Sequence, residues 1–162
     1  MNNFETIYKD NYLKIYSLAV RLLGDKNTAK DITQDTFISF YDSIINKKEI
    51  KYPKTWLYRV ASNKCFDSLK EQKRYESVQI NESHLVYEKE KNNHSKKRKY
   101  IEKALMKLNA QNKLLVILYS EGFSYKNMAE LTGIRFSSIG KTLSRTLKKL
   151  EQELNNIKDE LY

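Results

Sequence analysis

One cysteine cannot close an internal disulfide, and one proline with four glycines in 162 residues supplies few of the tight turns that sandwiches and meanders need. No run approaches the roughly 20 apolar residues of a membrane span. The opening Met1-Asn2-Asn3-Phe4-Glu5 has neither the basic start nor the apolar run of a secretory leader, so the expected setting is a reducing cytoplasm. Catalytic signatures are missing too. There is no HExxH, CxxC, P-loop or GxGxxG, and His84 and His94 sit in a weakly patterned stretch without a cysteine nearby. No catalytic site, metal or cofactor is expected. Cys65 shares an apolar helical face with Ala61 and Leu69 and reads as a small core residue. An all-α fold is left.

What the chain has in excess is positive charge, 30 Lys and Arg against 20 Asp and Glu. A net +10 favours polyanions through counterion release but also simply confers solubility, so its distribution matters more than its sum. Residues 47–74 carry nine cations and three acids, and residues 124–150 carry six and one. Residues 25–42 reverse the balance, with two Lys and four Asp. Two basic surfaces and one acidic helix are therefore expected.

Apolar residues recur at three- and four-residue spacing from Phe4 through Leu23, which predicts a first helix ended by Gly24-Asp25. A second helix is expected from about Thr28, with Ala29, Ile32, Thr36, Phe37, Phe40 and Ile44 on one stripe and Asp31, Gln34, Asp35 and Asp42 outside it. Residues 46–54 (NKKEIKYPK) lose the period and form a basic loop, and Pro53 suits the first turn of a third helix running to about Arg74. That helix packs through Trp56, Leu57, Val60, Ala61, Cys65 and Leu69. The stretch 77–98 is rich in Asn, Ser, Glu and Lys and reads as a flexible linker. Its closing run, Lys96 to Lys99, suits either a solvated helix start or a phosphate contact. Four short helices should follow, over Ile101–Leu108, Asn112–Glu121, a segment capped by Ser124, and Arg135–Leu150. The expected architecture is two small helical domains, 1–76 and 99–162, joined by that linker.

The last two helices form a helix-turn-helix pattern. Ala129 is small where two helices approach, Gly133 sits in the turn, and Ile139, Leu143, Leu147 and Leu150 line one face of the second helix. Arg135, Ser137, Ser138, Lys141, Thr142, Ser144, Arg145 and Lys148 then face outward, where cations suit guanine or phosphate and short hydroxyls allow close approach. An ordinary bundle with a polar face would share the pattern. Gly140 is awkward within a helix unless it permits a close backbone approach. In the first half, the basic loop with Lys54 and the stripe Asn63, Lys64, Asp67, Lys70 and Arg74 could hold single-stranded nucleic acid. Tyr52 is the better stacking candidate, since a lone helical tryptophan such as Trp56 more often belongs to the core.

Read in order, Asp31-Ile32-Thr33-Gln34-Asp35-Thr36-Phe37, Trp56-Leu57-Tyr58-Arg59-Val60-Ala61-Ser62-Asn63 with Asp67, and Gly122-Phe123-Ser124-Tyr125 before the helix-turn-helix resemble bacterial RNA polymerase sigma factors of the extracytoplasmic-function (ECF) type. The resemblance implies that Asp31, Gln34 and Asp35 dock on the clamp helices of the polymerase's largest subunit. Exposed carboxylates beside an amide suit arginine partners there. It further implies that residues 46–54 and the helix through Arg74 hold open the −10 element, with Asn63 and Asp67 at matching positions, and that Arg135 to Lys148 read the −35 element. An anti-sigma partner is implied, as is weak DNA binding by the free chain until polymerase separates its domains. The family often has Pro at Ala110, Lys or Arg at Gly140 and Arg at Thr142, so cation contacts shift toward Lys141 and Arg145. A conventional repressor or activator would explain the second half equally well but leaves the Asp31, Gln34 and Asp35 cluster unused. A non-DNA adaptor would show weak salt dependence of any DNA binding.

Overall fold

The computed structural model describes residues 4–76 and 95–160, and among them every regular element is an α-helix. His84, His94 and residues 77–94 of the expected linker lie outside the described residues.

The first half is a three-helix unit: α1 (Phe4–Leu23), α2 (Lys26–Ile45) and α3 (Pro53–Glu76). Gly24 turns in the left-handed region at φ 71°, and Asp25 caps α2 by accepting from the Asn27 amide at 3.0 Å and the Thr28 hydroxyl at 2.6 Å. The second helix therefore starts two residues earlier than its apolar period suggests. Ile15, Leu18 and Leu22 of α1 meet Ile32, Phe37 and Phe40 of α2 and Leu57, Tyr58, Ala61 and Cys65 of α3. Such fully buried apolar side chains each contribute about 1.5–3 kcal/mol. Thr33 and Thr36 enter this core without an unmet hydroxyl, donating to the carbonyls of Ala29 and Ile32 at 2.7 Å. Cys65 is fully buried, and burial pushes its thiol up to about 12, which makes it an inert packing residue.

The second half contains α4 (Ser95–Met106), α5 (Ala110–Ser120), α6 (Tyr125–Thr132) and α7 (Phe136–Glu160). α4 begins inside the stretch expected as linker, and Lys96, Lys97 and Arg98 form its solvated opening. Asn109 and Ser124 cap α5 and α6 by accepting from the amides of Asn112 and Asn127. Gly133 ends α6 at φ 75°, as a three-residue turn demands. Gln111 donates to the Thr132 carbonyl at 2.9 Å, tying that turn to the start of α5. α7 continues ten residues beyond the expected end at Leu150. Leu154 and Ile157 prolong its apolar stripe, and Lys107, just past α4, pairs with Glu153 at 3.6 Å.

The two helical halves appear as expected, but they also share an interior. α1 packs on α5 and α3 on α6, so Leu114, Leu115, Leu118 and Met128 join one apolar cluster with Ile15 and Leu57. Tyr58 lies 4.9 Å from Phe123, ring to ring. Burial first, then the charge of Glu121 and a hydrogen bond to it, holds the Tyr58 phenol well above its ordinary range. Arg59 pairs with Glu130 at 3.5 Å. Lys113, just before the apolar run Leu114–Tyr119 of α5, is buried and donates to the Arg21 carbonyl near the end of α1 at 3.4 Å.

Candidate polymerase and promoter interfaces

The acidic helix presents its predicted residues to solvent. With Ala29, Ile32, Thr33, Thr36, Phe37 and Phe40 buried, the helical period places Asp31, Gln34 and Asp35 on the opposite, exposed ridge. The same ridge continues through Ile38 (58% exposed), Tyr41, Asp42 and Ile45 (57%). Those apolar members were not singled out from the sequence. Their signal was available: Ile38 and Ile45 fall outside the buried stripe of their own helix.

The second surface joins the basic loop to α3. Tyr52 is 66% exposed, with the Lys51 ammonium 5.6 Å from its ring centre. Trp56 is half-buried and tilted against Phe40 at 5.5 Å, so it belongs to the core at one face and to the surface at the other. Asn63, Asp67, Lys70 and Arg74 are exposed at spacings of four, three and four along α3, while Lys64 is half-buried beside them. Lys54 departs from this group. Its ammonium reaches the Glu121 carbonyl at 3.4 Å and lies 5.1 Å from the Phe123 ring centre, so the other half already occupies it. An open cleft of about 510 Å³ remains between the halves, lined by Tyr52, Trp56, Arg59, Lys126, Asn127 and Glu130 among others.

The third surface is the outer face of α7. Met128 and Leu131 of α6 pack with Ile139 and Leu143 of α7, which fixes the two helices against each other. Arg135 immediately precedes α7, and its carbonyl accepts from the Ser138 amide at 2.8 Å. Arg135, Ser137, Lys141, Ser144, Arg145 and Lys148 are exposed, whereas Ser138 and Thr142 sit half-buried at the edge. Gly140 answers no close approach within the chain. An added Cβ would meet only the Tyr125 ring, at an ordinary 3.8 Å. One exposed residue was missed: Phe136, at the first position of α7, is 63% exposed. A phenylalanine beside three polar neighbours was the available clue.

Among the described residues there is no cluster of His, Cys, Asp or Glu able to hold a metal, and no helix long and apolar enough to cross a membrane.

The family model described as Sigma-70 region 2 matches residues 7–75, and Sigma-70, region 4 matches residues 98–150. This chain belongs to the sigma-70 family, as an ECF-type member. It is similar to the RNA polymerase sigma factor YlaC of Bacillus subtilis (strain 168), at 24% identity over 98% of this chain and 96% of that protein. The ECF RNA polymerase sigma factor SigW of the same organism is 44% identical over 41% of this chain and 34% of its own length. In fold, the chain resembles the sigma factor RpoE solved with the anti-sigma factor NepR from Bartonella quintana. That match has a TM-score of 0.79 and 21% identity over 96% of this chain and 98% of RpoE. As a sigma factor, the chain directs promoter-specific transcription initiation with RNA polymerase.

Proposed function

We propose that the labour of initiation is divided along the chain. Residues 1–76 bind core polymerase and melt the −10 element, residues 95–162, from the start of α4, read the −35 element, and residues 77–94 link them. Asp31, Gln34 and Asp35 dock on the clamp helices of the largest subunit, their carboxylates meeting arginines in charge-assisted pairs. Tyr52, Lys54, Asn63, Lys64, Asp67, Lys70 and Arg74 hold the separated −10 strand, with the aromatic ring stacking on a base and cations following phosphates. Melting then needs no ATP, because unstacking, a cost of a few kcal/mol per step, is offset by captured bases. Arg135, Ser137, Ser138, Lys141, Thr142, Ser144, Arg145 and Lys148 engage the −35 duplex from the major groove.

The observation that carries this reading is the pairing of an exposed acidic ridge on α2 with an exposed basic face on α7, at opposite ends of a chain that matches both sigma regions. In the docked arrangement Lys54 is held by Glu121, so the halves must part before it reaches DNA. The chain acts without catalysis of its own, in the cytoplasm where polymerase works. The RpoE structure was solved with an anti-sigma factor, and a protein of that kind is the expected restraint here. Recovery of the tagged chain from its own cells with core polymerase but no such inhibitor would argue against that restraint.

Run-off transcription on genomic fragments tests the function. Core enzyme with this chain is expected to start discrete transcripts that core alone does not. Identical products with and without the chain would refute it.

A further inference from the structure

The first turn of α7 carries a side chain for which the fold has no use. Phe136 precedes buried Ile139 by three positions, yet its ring remains 63% exposed. Among the described large apolar residues that are exposed, it is the single phenylalanine. Unlike the exposed tyrosines, it offers no hydroxyl to water or phosphate. Its neighbours differ in kind: Arg135 and Ser137 are exposed on either side, and Lys141 and Arg145 follow along the outer face of the helix. One turn on, Gly140 has no side chain and faces open space apart from the Tyr125 ring. Phe136 and Gly140 therefore form an apolar edge at the start of α7, between its buried stripe and its polar outer face.

N-terminal residues of a recognition helix meet base edges in the major groove. There guanine, adenine and cytosine present only donors and acceptors, whereas thymine adds an apolar C5-methyl group. A phenyl ring can neither donate nor accept in the plane of those edges. Stacking on a base face is closed to it while the duplex stays paired.

We infer that Phe136 reads a thymine in the upstream promoter element by packing its ring against the C5-methyl group. This rests on the assignment of α7 to the −35 duplex and names the base that one of its positions selects. Removing one methyl from such a contact weakens binding about fourfold.

The test uses full-length chain reconstituted with core polymerase and a pool of duplexes randomised over the upstream element. The enriched duplex is then remade with deoxyuridine replacing one thymine at a time, which deletes only the methyl group. The wild-type complex is expected to bind about fourfold more weakly at one such position. Phe136→Ala should bind the thymine duplex correspondingly less well and treat the two bases alike there, while Phe136→Leu keeps part of the preference. Indifference of the wild-type complex to deoxyuridine at every position, or unchanged discrimination by Phe136→Ala, overturns the inference. Arg145→Ala separates the two levels: if it weakens upstream binding while deoxyuridine has no effect, only the Phe136 assignment falls. If no upstream sequence is enriched and Arg145→Ala changes nothing, the duplex-reading role of α7 falls with it.

Discussion

Gly140 and Lys113 each sit where a simpler residue would be more stable. Gly140 lies inside α7 with ordinary space around a would-be Cβ. Gly140→Ala should therefore raise unfolding stability by about 1 kcal/mol, read as a higher urea midpoint. A lower midpoint would mean that the helix needs the glycine after all. Lys113 is buried with one long hydrogen bond to a carbonyl, and burial depresses its ammonium below the ordinary 10.5. Between that depressed value and 10.5 the unfolded chain binds more protons than the folded one, so this site's contribution to stability rises with pH across the window. Lys113→Met should be more stable than wild type at neutral pH, with the difference shrinking as pH approaches 10.5. Paired urea titrations across that range check the sign, and a difference that grows with pH contradicts it. Sequence spacing found the exposed polar residues of α2, α3 and α7 because a helix with a buried stripe must expose the rest. It missed Lys113 because a lysine beside an apolar run is indistinguishable from a surface lysine until a second element covers it.

The helices begin and end where local chemistry instructs them. Asp25 starts α2, and its hydrogen bonds from Thr28 first, then from the Asn27 and Thr28 amides, lower its carboxyl pKa from 3.8 against a smaller opposing effect of burial. Asp25→Ala should cost about 1 kcal/mol. Since the folded value is depressed, that contribution is whole above 3.8 and is lost as pH falls through the folded value. Thermal melts of both proteins should therefore converge in acid, and a constant gap would show that the cap acts through packing instead. Ser124, Gly133 and Pro53 were legible as punctuation because each works within its own turn. The early start of α2 is obscured because Gly24-Asp25 reads as the stop of α1, and one residue can serve both. The full length of α7 escaped because Leu154 and Ile157 are too sparse to extend a period until α4 and its following turn cover them.

At the scale of the whole molecule, the least legible feature is the docking of the two halves. Its contacts, Tyr58 on Phe123, Arg59 on Glu130 and Lys54 on Glu121, join residues more than sixty positions apart, and each side alone resembles an ordinary surface. The ion pairs are partly exposed and each contributes at most about 1 kcal/mol. Glu121→Lys combined with Glu130→Lys places like charges across the contact, and the radius of gyration from X-ray scattering should increase. An unchanged radius would mean that the apolar contact alone holds the halves. On the proposed division of labour, one end of the chain grips polymerase and the other reads duplex, so the two tasks should be separable by mutation. Equilibrium binding of core polymerase, followed by upstream DNA protection by each complex, measures both tasks in one preparation. Asp35→Arg is expected to weaken core binding by roughly tenfold or more, the size of a lost interfacial charge contact. Lys141→Ala with Arg145→Ala should bind core normally and lose upstream protection. Core binding by Asp35→Arg at wild-type affinity, or failure of both variants at the same step, would contradict the account.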